Sequence, residues 1–274
     1  MMDPITSHYA KDGIAERVLA AVRQSLGPNA PITPDALAPA DQLHSRGLAA
    51  TRELAGMLAP KAGEHLLDIG SGVGGPARWM AAHYHCHVTG IDLTPAFCEA
   101  AEKLNAAMGL SARVTIVVGS ALALPFADQS FDRAWSHNVV MNIADKRTFL
   151  REAWRVLKPG GVLALMNLTA GPGGTPHYPT PWAASAATSF LATLEETRAD
   201  LEATNFEILH FEDNTDRTRN ARRARTDQLI AAQVPTLGTH LVMGPALKTY
   251  QENSLRNDQE NRIRAMAALV KRPH

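Results

Sequence analysis

Apolar positions along the chain follow two periodicities. Near the N-terminus Ile14, Val18, Val22 and Leu26 recur every four residues, the spacing of one buried helix face. Asp12 precedes them as a candidate cap, and Gly27-Pro28 ends the run. A proline-rich connector, NAPITPDALAPADQ, leads to a second helical pattern over 48–58. From there the period alternates. Short apolar runs at 65–69, 87–91, 114–118, 131–136 and 162–168 read as strands. Helical patterns at 76–84, 95–108 and 146–157 separate most of them, and Pro159-Gly160-Gly161 closes the last. Strands alternating with helices predict a parallel sheet covered on both faces.

After Thr169 the pattern changes. AGPGGTPHYPTPW reads as a long loop, and a long structureless loop in a compact domain is often functional. A helix over 191–203, a strand over 206–211 and a closing strand over 263–270 follow. The run RTRNARRART falls on a predicted helix, as a solvated face or as an anion site. The fold class is therefore α/β. It is a doubly wound, Rossmann-like, mostly parallel seven-stranded sheet with helical cap elements at both ends.

Composition narrows the class. Lys and Arg number 27, as do Asp and Glu, which argues against a nucleic-acid binder relying on a broad basic surface. Apolar residues make up 45%, enough for a packed core. Cys86 and Cys98 alone make neither a disulfide framework nor a zinc site, and no spaced carboxylate and histidine set predicts a metal. The stretch MMDPITSHYAKDG lacks the basic start and apolar centre of a signal peptide, and no run reaches the length of a membrane span. A cytoplasmic protein acting on a small molecule is expected, with a homodimer as one arrangement.

The chemistry is concentrated in LLDIGSGVGGPARWM. Gly70, Gly72 and Gly75 satisfy G-x-G-x-x-G, and Asp92 ends the next strand about 20 residues on. Such a turn lets the backbone approach a ligand, and the strand-end carboxylate accepts ribose hydroxyls. A nicotinamide dinucleotide and another nucleoside both suit that geometry. Asp68, just before the turn, would face a pyrophosphate badly. It suits a cationic ligand such as the amino-acid end of S-adenosylmethionine.

LLDIGSGVGG, VTGIDLTP, VVGSALALPFADQSFD and REAWRVLKPGG together resemble a class I S-adenosylmethionine-dependent methyltransferase over 48–168. HYAKDGIAERVLAA, DQLHSRGLAATRELA, VGGPARWMA, MNIADKR and AGPGGTPHYPTPWA further resemble its sarcosine/dimethylglycine N-methyltransferase-like branch. The likeness to sterol C-methyltransferases and phosphoethanolamine N-methyltransferases is looser. The resemblance implies a helical N-terminal lid over 1–60 and a cofactor-binding core over 61–170. A substrate cap with a late core strand would cover 171–258, and 259–274 would close the sheet.

The resemblance also implies roles. Gly70, Ser71, Gly72 and Gly74 would cradle the methionine portion, with Asp68 orienting the turn or the ammonium. Asp92 would hold the ribose and Leu93 pack on the adenine. Ser120 stands where the family has Asp, so the backbone of Ala121 and Leu122 would share the adenine amine. Ser136, His137 and Asn138 end the fourth strand near the sulfonium. The related N-methyltransferases carry histidine at the position of Asn138, whereas here it is one residue earlier, at His137. His137, Asn138 and His44 are the candidate catalytic residues. Tyr9, Gln42, Asn142, His177, Tyr178 and Trp182 are the candidates for substrate binding. The implied reaction is in-line methyl transfer to a small acceptor, an amine nitrogen by resemblance, with oxygen or carbon of a natural product or lipid-like molecule as the alternative. An NAD-dependent oxidoreductase and a non-catalytic nucleoside-binding protein are the readings from other classes.

Overall fold

The computed structural model describes His8, residues 12–231 and residues 235–274. Its centre is a seven-stranded sheet. The strands are β1 (His65–Ile69), β2 (His87–Asp92), β3 (Val114–Val118), β4 (Phe131–His137), β5 (Leu157–Ala170), β6 (Glu207–Asp213) and β7 (Ile263–Lys271). Their order is β3-β2-β1-β4-β5-β7-β6. The first five run parallel, and β7 is antiparallel to both β5 and β6. From β1 the chain winds outward to β2 and β3, then returns to place β4 on the other side of β1. The carboxyl ends of β1 and β4 therefore flank a topological switch point, where open α/β sheets gather ligands.

Alternation along the strands divides the core. Leu67, Ile69, Ile91 and Leu163 pack with Phe149 and Leu150 of α6 (Lys146–Val156) and Leu201 of α7 (Leu194–Ala203). Leu66, Val88, Trp135 and Ala164 pack with α3 (Gly47–Leu58) and α4 (Gly75–Tyr84) in a separate cluster. A third cluster belongs to the cap. Ile14, Val18 and Val22 of α1 (Ile14–Leu26) meet Leu37 of α2 (Pro34–Asp41), Phe97 and Leu104 of α5 (Pro95–Ala107), and Val242. α8 (Thr215–Ala231), a single turn α9 (His240–Met243) and α10 (Leu247–Gln259) complete the described α-helices. Among the described residues no helix is long and apolar enough to cross a membrane.

Several local expectations are corrected. Asp12 does not cap α1: Gly13, at φ 65°, holds that position with no side-chain bond. Leu26 is exposed, because the helix outruns the surface that buries its other apolar residues. The proline-rich connector contains α2, which starts where Thr33 accepts from the Ala36 amide at 3.2 Å and Pro34 occupies the first turn. Leu157 is already in β5, paired with Phe131, so Pro159-Gly160-Gly161 lies within the strand rather than before it. The helix over 191–203 begins at Leu194, behind a Thr193–Glu196 capping box. α10 falls in a stretch to which the apolar pattern assigned no element.

Candidate active site at the glycine turn

Two glycines of the motif answer to steric demands. Gly70 lies at φ 83°, and a methyl there would overlap Val139, which follows β4. The Gly70 and Ser71 amides both donate to the Ile91 carbonyl, at 2.8 and 3.0 Å, which seats the turn on β2. Gly75 serves a different neighbour, since a methyl would overlap the Asp41 carbonyl at the end of α2. The third motif glycine therefore lets the N-terminal cap approach the glycine turn.

The acids converge on this turn. Asp92 accepts from the Gly72 amide at 2.8 Å and from the Thr94 amide at 2.9 Å. Asp68 is buried, with Oδ2 lacking a hydrogen-bond partner. Burial, and then the neighbouring Asp92, push the Asp68 carboxyl well above the usual carboxylate range. Ser71 also keeps a buried hydroxyl with no partner. Two carboxylates and an orphan hydroxyl in one dry crevice form a site that a cationic, hydroxyl-bearing ligand satisfies.

A cavity of about 550 Å³ opens from this crevice. Asp68, Gly70, Ser71, Gly72, Asp92, Leu93, Ser120, Ala121 and Leu122 line one half. Leu93 and Leu122 are exposed apolar side chains there, and the Ser120 hydroxyl accepts from the Leu122 amide at 3.1 Å. His44, His137, Asn138, Asn142 and Trp182 also line the cavity, along with Met141, Leu168, Phe190, Met243 and Leu247.

The His44 and His137 rings stack with centroids 3.7 Å apart and planes at 12°. Burial, and then the Arg46 charge, push the His137 imidazole down to about 3, so it is neutral at physiological pH. Asn138, at φ 57°, follows directly and donates its amide to the Met166 carbonyl at 2.8 Å. Asn142 donates its side-chain amide to the carbonyls of Trp182 and Thr188, at 2.7 and 2.9 Å, and so ties down the loop after β5. The buried Trp182 donates to Ser189 at 3.0 Å.

Other candidates stand elsewhere. Gly74 and Ser136 lie behind the lining. Gly74 caps α4 at φ 78°, and the Ser136 hydroxyl donates to the Ile69 carbonyl at 2.9 Å, pinning β4 to β1. Gln42 is buried against Thr51 rather than at the wall. His177 pairs with Glu260 at 2.8 Å, and Tyr178 packs on the cluster of Met141, Leu168 and Trp182; neither lines the cavity. Their loop folds back onto α10 through Asn253 and Asn257, which corrects the expectation that both bind the substrate. Tyr9 lies outside the described residues.

The wall also includes residues no sequence pattern singled out. Asp41, Ser45, Phe190 and Met243 come from the cap and the later loops. From the basic run, Arg222 is buried at the cavity, bonded to Asp258 at 2.5 Å and to the Ser45 hydroxyl at 3.1 Å. That position is not a solvated face.

The sheet order and switch-point cavity are those of the class I methyltransferase fold. Residues 67–165 match the family model of a methyltransferase domain. Over 174 residues the chain is 33% identical to the O-methyltransferase resE of Aspergillus sclerotiorum, covering 62% of this chain and 64% of that one. Over 127 residues it is 34% identical to phosphoethanolamine N-methyltransferase 1 of Triticum aestivum, covering 46% and 25%. The chain thus spans less than two thirds of the length of these curated relatives. In fold it is similar to the [4+2]-cyclase SpnF, with TM-score 0.67, 24% identity and 95% of each chain covered. A 24-methylenesterol C-methyltransferase and a putative sarcosine dimethylglycine methyltransferase also match. The matches therefore span oxygen, carbon and nitrogen acceptors and do not single out the sarcosine/dimethylglycine branch.

Proposed function

We propose that this chain is an S-adenosylmethionine-dependent methyltransferase acting on a bulky, largely apolar small molecule. The carrying observation is Asp68, a buried carboxylate with an unpartnered oxygen beside Asp92 at the glycine turn. A ligand bearing an ammonium and a sulfonium draws these two carboxyls into their ionised form, whereas a pyrophosphate opposes it. Asp92 is the ribose ligand, and Leu93 and Leu122 flank the adenine. The Ala121 and Leu122 backbone carbonyls meet the adenine amine, while the Ser120 hydroxyl is engaged by the Leu122 amide.

When bound, S-adenosylmethionine supplies a methyl group already activated on sulfur. The chain's own work is to align the acceptor and exclude water, which can supply about 7–11 kcal/mol of barrier reduction. Met141, Leu168, Trp182, Phe190, Met243 and Leu247 give the acceptor an apolar berth, with Ser45 and Arg222 at a polar margin. Asp41, Asp68 and Asp92 are the carboxylates of the wall, and all three sit at the glycine turn. An ammonium-bearing acceptor would enter the apolar half without a counter-charge. A hydroxyl acceptor, deprotonated by His44 beside the neutral His137, fits better. A neutral amine nitrogen is the second reading, supported by the similarity to the wheat phosphoethanolamine N-methyltransferase.

Calorimetry with S-adenosylmethionine, S-adenosylhomocysteine and NAD tests the reading. Binding of both sulfur nucleosides and silence for NAD are expected. NAD binding alone refutes it. An acceptor screen pairing hydroxylated polycyclic compounds with glycine, sarcosine and dimethylglycine then separates oxygen from nitrogen.

A further inference from the structure

One short segment after β4 holds Trp182 and Phe190, two cavity-lining residues of the loop after β5. Asn142 donates to the Trp182 carbonyl at 2.7 Å. The Phe190 amide donates to the carbonyl of Met141, another lining residue, at 2.7 Å. Lys146 Nζ donates to the Phe190 carbonyl and, at 2.8 Å, to the Ile143 carbonyl. The backbone of Phe190 is thus held at both its N–H and its C=O. Nothing in α6 itself calls for a lysine at 146. It is the first residue of the helix, where a cation meets the positive end of the dipole. The side chain is half-buried, and burial pulls its ammonium below the ordinary lysine range. Among the described residues it forms no ion pair. Of the two carboxylates whose charge reaches it, Asp200 pairs with Arg147 at 2.8 Å and Glu196 accepts from the Thr193 amide at 2.8 Å. Its bonds go instead to two backbone carbonyls, and their effect is to fix where that backbone lies.

We propose that Lys146 is a positioning residue for the acceptor, which it serves by tethering the Phe190 carbonyl and so fixing the apolar wall against which the acceptor packs. The acceptor's place at that wall rests on the methyltransferase reading above; the tether does not. A hydrogen bond from an ammonium is about twice as strong as one between neutral groups, so the tether outweighs an ordinary loop contact. Phe190 and Met141 share the wall and are bonded to each other, so loosening one loosens both. An apolar wall grips the acceptor equally before and during methyl transfer, so its loss weakens acceptor binding and leaves the chemical step alone. The glycine turn, Asp92 and Ser120 are held by bonds of their own, so the cofactor end does not depend on Lys146.

Amide hydrogen exchange on the full chain without ligand reads the tether directly. In Lys146→Met, which keeps the length of the side chain and removes its donor, the Phe190 amide is expected to exchange about tenfold faster than in the parent. An unchanged rate at Phe190 overturns the inference. Nitrogen-15 NMR of the parent's lysine ammonium groups needs no variant: the Lys146 hydrogens should exchange at least about tenfold slower than those of the exposed Lys248, and equal rates overturn the tether. With S-adenosylmethionine and an acceptor from the screen above, Lys146→Met is expected to raise the acceptor KM about tenfold, with kcat within about twofold of the parent. Calorimetry should show S-adenosylmethionine affinity unchanged, and an equal loss there overturns the positioning role. In a Phe190→Ala background, Lys146→Met should add less than about twofold to KM, because the side chain the tether places is gone. An added effect as large as in the parent rejects the route through Phe190. Faster exchange at Phe190 in the variant of a parent that transfers no methyl group would support the tether and reject the functional reading alone.

Discussion

Arg78 holds the glycine turn against the cap, and its removal tests that reading most sharply. The side chain is fully buried. It donates to Asp41 Oδ2 at 2.9 Å, the Val73 carbonyl at 2.7 Å, Asn105 Oδ1 at 3.1 Å and the Ala101 carbonyl at 3.4 Å. One guanidinium thus joins the end of α2, the turn itself and α5. Arg78→Met keeps much of the volume and leaves Asp41 buried, with neither oxygen paired to a charge. Removing one partner of a buried pair costs about 3–5 kcal/mol. At about 2–4 °C per kcal/mol, Tm should fall by about 6–20 °C. The loss also depends on pH. Burial holds the Asp41 carboxyl above its ordinary range even with Arg78 present, and further above without it. A raised native pKa means the folded state binds the proton more tightly. The variant's deficit should therefore be smallest below the unfolded value of about 3.9 and grow as pH rises toward the native value. Urea unfolding followed by far-ultraviolet circular dichroism at about pH 5 and about pH 8 measures both effects. The double variant Arg78→Met/Asp41→Leu should recover most of the loss, because an apolar pair replaces a buried ion pair at little cost. A single variant within about 1 kcal/mol of the parent, or a double variant no better than the single, would refute the reasoning.

Asp68→Asn should weaken S-adenosylmethionine binding at least about tenfold, an energy of about 1.4 kcal/mol. In the parent, binding should release protons and tighten with rising pH, since a cationic ligand favours the ionised form of a carboxyl whose free value is raised. Calorimetry in buffers of different ionisation enthalpy reads this, and equal proton release from Asp68→Asn would contradict it. Gly75→Ala should cost about 1–3 kcal/mol, because the Asp41 backbone cannot yield as a side chain would. Limited proteolysis should cut the segment before α4 faster, and an unchanged cleavage rate would count against the contact. Trp182→Ala should cost about 3–5 kcal/mol of stability as a buried aromatic. It should also raise KM for an apolar acceptor more than for S-adenosylmethionine, and equal effects would remove Trp182 from the acceptor half.

Much of the core was legible from local patterns. Strands of the parallel core are buried on both faces and read as short apolar runs, and the helices between them carry one apolar stripe. Asp68, the glycines and Asp92 were legible because backbone chemistry ties them to fixed spacings along one strand–turn–helix–strand unit. Outside such a unit, sequence distance says little. His177 and Tyr178 sit only a few residues before Trp182, yet their loop turns them to Glu260 and to an apolar cluster while Trp182 lines the cavity. Gln42, two residues from the cavity-lining His44, turns instead to Thr51.

The sheet and the glycine-turn end of the cavity were readable from the chain alone, since those depend on hydrophobic period and on glycines that no other residue can replace locally. The opposite end of the cavity is set only by long-range packing. Arg222 reaches Ser45 across 177 residues, and Asp41 meets Arg78 across 37. His44 stacks on His137 across more than ninety residues of chain. Contacts of that kind are set by how a cap packs on a sheet, by burial and by which partner satisfies each buried polar group. None of those leaves a periodic trace in the chain.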